Sequence, residues 1–287
     1  MSTLIRELAS VCKLRIGFAI MLTGLAGLAV TPGELPASWE ILLFCFAILL
    51  SSASAGAYNQ YAERDLDARM QRTRNRPFVT GKYKADGVWL FAISLMLVVP
   101  VALSAWFLNF VAALFVFLGA FTYGVIYTVW LKRRTWLNIV IGGLAGSFAV
   151  LGGAAVVDPG LSAEPVLLAL VLFLWTPPHF WSLAFIFASD YREADVPMLP
   201  TVFTRSTATR IIFAHTFVLV IVSVLPFFFG LGWIYLTGAL FGGLFFLYTS
   251  YKLLRSPSLH NARINFRASL LQLTPLLLAC GLDAFFN

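Results

Sequence analysis

Long apolar runs, each closed by a short polar stretch, recur along the chain from one end to the other. A helix needs about 20 mostly apolar residues to cross the hydrocarbon core of a bilayer. Nine runs approach or exceed that length: residues 15–32, 39–58, 88–107, 109–130, 138–157, 165–187, 211–229, 231–251 and 268–286. Spans three and four, and spans seven and eight, are separated by only a residue or two, and Asn109 and Gly230 supply the needed breaks. The pattern predicts an all-α polytopic membrane protein with nine transmembrane helices, residues 1–287 forming one integral-membrane domain.

Composition agrees with that pattern. Hydrophobic residues make up 60% of the chain and charged ones 11%, against roughly 25% charged in soluble domains. A soluble core of this size cannot hide so much apolar surface. The N-terminal stretch carries Arg6, Lys13 and Arg15. No small-residue cleavage pattern closes the run that follows, so it reads as a retained span rather than a signal peptide.

Charge orients the bundle. The basic residues fall in the N-terminal stretch and in the segments after spans two, four, six and eight, and these account for all 20 Lys and Arg. The alternate loops hold Glu34, Glu40, Asp158 and Glu164. The positive-inside rule then predicts a cytoplasmic N-terminus, with the C-terminus on the opposite side of a plasma (inner) membrane. The net charge of +7 is thereby explained by membrane orientation, not by nucleic acid. Cys12, Cys45 and Cys280 lie far apart without metal-ligand spacing and read as small apolar helix residues.

Two polar clusters stand out, both on the basic side. The first runs from Asn59 through Glu63, Asp65, Asp67, Arg72 and Arg76 to Pro77. If the second helix continues past Tyr58, Asn59, Glu63 and Asp67 fall four residues apart on one face, and Asp65 points elsewhere. Carboxylates stacked a turn apart repel, a cost that a cation among them removes. Hard oxygen donors suit Mg²⁺, which completes its shell with water and substrate phosphates. Arg72 and Arg76 suit phosphate oxygens through paired hydrogen bonds. The second cluster holds Asp190, Arg192, Glu193 and Asp195 before Pro197. Asp190 and Glu193 are placed to share a helical face, and Pro197 ends any helix there. Two acidic clusters on one side of a bundle can face each other across one cavity. A solvated loop of mixed charge is the alternative reading.

Four stretches carry a resemblance. They are Asn59–Pro77; Tyr127–Thr135 with Asn138–Gly143; Trp175–Trp181; and Asp190-Tyr191 with Pro197–Pro200. Through them nearly the whole chain resembles the UbiA superfamily of intramembrane prenyltransferases, and within it the heme O synthase branch. The resemblance implies a nine-helix bundle around a central cavity. It assigns Mg²⁺ and the donor diphosphate to Asn59, Glu63 and Asp67 in the first motif and to Asp190 in the second, with Lys132, Arg133 and Arg134 also on the diphosphate. Glu63 stands where most members have Asp, Gln60 replaces the second residue of the broader motif, and Asp195 stands where glycine is expected.

The resemblance further implies a Mg²⁺-dependent transfer of a farnesyl group from farnesyl diphosphate to heme B, with Asn59, Glu63, Asp67 and Asp190 as catalytic residues and the lipid bilayer as the setting. His179, an intramembrane histidine beside Pro178, either contacts heme or satisfies carbonyls freed by Pro177 and Pro178. A quinone or other aromatic acceptor is the nearest alternative. A membrane transporter, with charged residues at broken helices, is an alternative of another class.

Overall fold

The computed structural model describes residues 3–286. In chain order the helices are α1 (Thr3–Val11), α2 (Leu14–Ala29), α3 (Ser38–Ala62), α4 (Arg64–Arg69), α5 (Gly87–Phe107), α6 (Phe110–Phe121), α7 (Asn138–Gly142), α8 (Leu144–Val157), α9 (Ala163–Ile186), α10 (Ala188–Glu193), α11 (Leu199–Val202), α12 (Arg205–Val222), α13 (Trp233–Arg255) and α14 (Leu259–Phe286). A π-helical segment, Thr122–Leu131, prolongs α6, and a 3₁₀ turn, Leu225–Phe229, follows α12. No strand occurs among the described residues. Eight of these helical stretches are long and apolar enough to cross a membrane, nine when the bent pair α1–α2 counts as one span. The chain is an integral membrane protein.

The first span differs most from expectation. The sequence places it at residues 15–32, whereas α2 is only 16 residues long and is preceded by α1 at a bend of 52°. Lys13 forms the bend in the left-handed region, at φ 49°. Hydropathy also underestimates the helices at the basic end. The run at 211–229 begins helically at Arg205, and the run at 268–286 begins at Leu259. Polar helix turns that rise out of the apolar layer are invisible to a hydropathy window. Asn109 and Gly230 do break the chain as expected. The Asn109 side chain caps α6 by accepting from the Ala112 N–H at 2.8 Å, and Gly230 takes φ 119°.

Helices pack closely where side chains are smallest, because lipid tails offer no hydrophobic force to drive them together. A Cβ on Gly153 of α8 would strike the Gly24 carbonyl of α2, and one on Gly27 would strike the backbone of Val150. The α2–α8 crossing is thus set by backbone on backbone. The outward faces carry the large apolar residues, such as Trp106, Phe241 and Phe285, as a lipid-facing surface requires.

At the basic end the connecting segments fold over the bundle. Leu66 and Met70 pack with Ile139, Ala184, Tyr191, Ala194, Val196 and Met198 in one buried cluster. This small core draws the segment after α3 onto the one after α9, and with it the two acidic clusters.

Candidate functional site

The last turn of α3, a break at Glu63 and the short α4 present three acceptors inward. Asn59, Glu63 and Asp67 are each at most 2% exposed. The helix does not run straight through them as the four-residue spacing supposed. It is interrupted at Glu63, with φ −99° and ψ 12°, and restarts as α4. The three side chains nevertheless share one buried face, and Asp65 turns outward as expected.

Each acceptor meets a basic side chain. Asn59 Oδ1 accepts from Lys13 Nζ at 2.5 Å, while its Nδ2 donates to Thr128 Oγ1 at 3.0 Å. Glu63 Oε2 accepts from Lys132 Nζ at 2.5 Å, and its other oxygen, Oε1, is buried with no hydrogen-bond partner. Asp67 Oδ2 accepts from Arg76 at 2.6 Å. Burying a carboxylate alone is expensive, and these pairings offset that cost.

Lys13 and Tyr123 are the members that sequence reading missed. Lys13 Nζ also donates to the Tyr123 hydroxyl at 2.8 Å, and its ammonium lies 5.3 Å from that ring centre. Tyr123 stacks on Tyr127 at 5.6 Å, and Lys132 lies 5.7 Å from the Tyr127 ring centre. The π-helical segment therefore supplies an aromatic wall with Thr128 facing Asn59. In the sequence Lys13 counts toward orientation and as the start of Lys13-Leu14-Arg15, which stands where the family resemblance expects Lys-Pro-Arg, and neither reading places it beside Asn59.

The second cluster divides. Asp190 is 8% exposed and accepts from the Arg72 backbone N–H at 3.3 Å, which joins the two motifs. Glu193 is exposed, so the face expected to hold both carboxylates holds Asp190 alone. The helix stops at Glu193, before Pro197 acts. Asp195, at φ 53°, forms an exposed ion pair with Arg69 at 3.3 Å.

The basic residues expected on the diphosphate also divide. Lys132 and Arg76 point among the carboxylates. Arg72 is exposed, its guanidinium 5.4 Å from the Phe187 ring centre. Arg133 turns outward and grips Asp65 with two hydrogen bonds of 2.8 and 2.7 Å. The Arg133 hydrogen bond holds the Asp65 carboxyl below its ordinary range, against the opposing effect of partial burial. Arg134 is exposed.

Asn59, Glu63, Asp67 and Asp190 offer hard oxygen donors, and Glu63 Oε1 is a buried acceptor still lacking a partner. That chemistry fits Mg²⁺. Among the described residues no three acidic, His or Cys side chains converge on one point. Magnesium needs no such cage, since one or two carboxylates and substrate phosphates suffice.

His179 belongs to a different group, on α9 and α14. It is 7% exposed and stacked on Trp175 at 4.2 Å and Phe266 at 4.7 Å. Its Nδ1 lies 2.6 Å from Ser269 Oγ, which is also 2.6 Å from the Phe266 carbonyl. The carbonyls left without a helical donor by Pro177 and Pro178 are those of Phe173 and Leu174, and the His179 ring meets Ser269 instead.

The UbiA prenyltransferase family pattern matches residues 20–271 of the chain. Protoheme IX farnesyltransferase 2 of Paramagnetospirillum magneticum (strain ATCC 700264 / AMB-1) is 54% identical over 279 residues, 97% of each chain. Protoheme IX farnesyltransferase 1 of the same strain is 44% identical over 97% of this chain and 98% of that one. Among solved structures, one of a digeranylgeranylglyceryl phosphate synthase matches with a TM-score of 0.82 at 19% identity over 99% of both chains. A UbiA homolog from Archaeoglobus fulgidus, bound to GPP and Mg²⁺, matches at 0.78 and 15% identity, covering 98% of this chain and all of that one. At such identities the structural likeness is one of fold.

Proposed function

The chain belongs to the UbiA prenyltransferase family, and from that membership we propose that it moves a farnesyl group from farnesyl diphosphate to the vinyl group of heme B, giving heme O. The observation that carries the acceptor is the relative named protoheme IX farnesyltransferase 2, 54% identical over almost the full length of both chains. The donor half rests on the buried, cation-paired carboxylates of the first motif.

Magnesium, when bound among Asn59, Glu63, Asp67 and Asp190, supplies positive charge that stabilises the departing diphosphate. The chain's own contribution is positioning, shielding and charge. Lys13, Lys132 and Arg76 stand at the first motif, and Arg72 stands where the two motifs join, ready for the negative charge that grows on the leaving group. The C–O bond of the donor breaks with its electron pair going to diphosphate. The π pair of the heme vinyl group then attacks the allylic cation, and water captures the resulting cation and loses a proton, leaving a hydroxyl. Tyr123 and Tyr127 offer ring faces to positive charge. His179, stacked on Trp175 and Phe266 and held at Ser269, is the residue we assign to the heme side of the reaction.

The protein resides in the plasma (inner) membrane with its N-terminus in the cytoplasm, its C-terminus on the other side and the site at the cytoplasmic end. The placement of all 20 Lys and Arg supports this orientation. The function is tested by expressing the chain in cells that lack their own heme O and analysing extracted hemes by mass. Heme O is the expected product. Heme B alone, together with a prenylated aromatic acid in the same membranes, would move the chain to a quinone branch.

A further inference from the structure

Three acceptors of the first motif are each held by a basic side chain from another part of the fold. Lys13 comes from the α1–α2 bend, Lys132 from the end of the π-helical segment and Arg76 from the loop after α4. Those cations sit on Asn59 Oδ1, Glu63 Oε2 and Asp67 Oδ2, the oxygens that a metal ion would need. Glu63 Oε1 is the one carboxylate oxygen of the pair that is buried and left over.

The local charge points the same way. Glu63 and Asp67 supply two negative charges, and Lys132 and Arg76 already balance them. Asp190 and Arg72 add one of each sign. Lys13 adds a further basic donor on Asn59. A divalent cation arriving alone would create a positive excess and meet repulsion strengthened by burial. A diphosphate ester, with three negative charges when fully ionised, cancels it and gives each basic side chain a new acceptor.

We propose that Lys13, Lys132 and Arg76 are exchangeable counter-ions, which hold the motif's oxygens until a diphosphate draws them off, so that metal and diphosphate bind only together. This rests on the reading of the site as a metal–diphosphate site and adds its order of assembly. The metal on its own is excluded. Diphosphate would free the three oxygens by taking the cations, and Asn59, Glu63 and Asp67 would then be open to hold the metal. Such an arrangement keeps the buried carboxylates paired at every stage, and charge is exchanged rather than exposed.

The test uses the full-length protein in detergent, with Mn²⁺ in place of Mg²⁺ and inorganic pyrophosphate as the probe. Protein-bound Mn²⁺ is counted by equilibrium dialysis and electron paramagnetic resonance. Pyrophosphate should tighten Mn²⁺ binding by about tenfold or more, and by linkage Mn²⁺ should tighten pyrophosphate by the same factor. Lys132→Gln should bind Mn²⁺ alone about tenfold more tightly than the parent protein, with the dependence on pyrophosphate shrinking to match. Lys13→Met should shift in the same direction. Its acceptor is the uncharged Asn59, so it leaves no carboxylate unpaired and serves if Lys132→Gln does not fold. Equal Mn²⁺ binding with and without pyrophosphate, or a folded lysine variant whose affinity for Mn²⁺ alone is unchanged, overturns the exchange. If neither pyrophosphate nor farnesyl diphosphate brings Mn²⁺ onto the protein at all, the donor-site reading fails and the exchange falls with it.

Discussion

Lys132 and Glu63, 69 residues apart in the chain, meet at 2.5 Å in a buried ion pair, while Arg133, the next residue along, reaches outward to Asp65. The basic run Lys132–Arg134 is therefore three positions with different tasks. The Lys132 side chain is 11% exposed and that of Arg133 is 43% exposed. One ion pair excludes water and the other is bathed in it.

That difference predicts divergent effects of neighbouring substitutions. Lys132→Ala leaves Glu63 as an unpaired buried charge, which costs on the order of 3–5 kcal/mol, and turnover should fall about a hundredfold or more. Arg133→Ala breaks a solvent-exposed pair worth roughly 0–1 kcal/mol, and turnover should stay within about threefold. Thermal melting in detergent and heme O formation measure the two effects. Equal losses in both variants would show that Arg133 also serves the diphosphate.

Asp67→Asn and Asp190→Asn should each reduce turnover about a hundredfold or more in protein that still inserts and folds. Asp67 would lose its charge beside Arg76, and Asp190 its charge at the junction with Arg72. A chelator should stop the parent enzyme, and added Mg²⁺ should restore it. Near-normal activity of Asp67→Asn would remove the first cluster from the metal site.

Orientation is checked by single cysteines in a background lacking Cys12, Cys45 and Cys280. Exposed positions Thr80, Ser206 and Ser256 should react with an impermeant thiol reagent only from the cytoplasmic side. Positions Glu34 and Pro159 should react only from outside. Mixed labelling within either set would contradict the nine-span path.

His179→Leu should weaken heme binding, read as a loss of the shift in the heme Soret band when protein is added. It should leave pyrophosphate affinity unchanged, because His179 belongs to the α9–α14 group and not to the carboxylates. Ser269→Ala, which loosens the histidine without removing it, should fall between the two. Loss of pyrophosphate binding in His179→Leu would indicate a general structural role.

Much of the fold and part of the site were legible along the chain. Apolar length determined the number of spans, because a bilayer of fixed thickness demands it. The one-sided placement of Lys and Arg is the basis of the proposed orientation. The spacing of Asn59, Glu63 and Asp67 marked the first motif, since residues four apart share a helical face. Tertiary structure decided which basic residues join them. That Lys13 reaches Asn59, that Lys132 turns in while Arg133 turns out, and that Asp190 is buried while Glu193 is not all follow from how distant helices cross. The break at Glu63 and the π-helical segment alter side-chain direction at positions where local periodicity assumes a regular helix. Periodicity is a property of neighbours in sequence, whereas the charge pairing in this site joins side chains 9 to 69 residues apart. Only packing of the bundle brings such side chains within reach of one another.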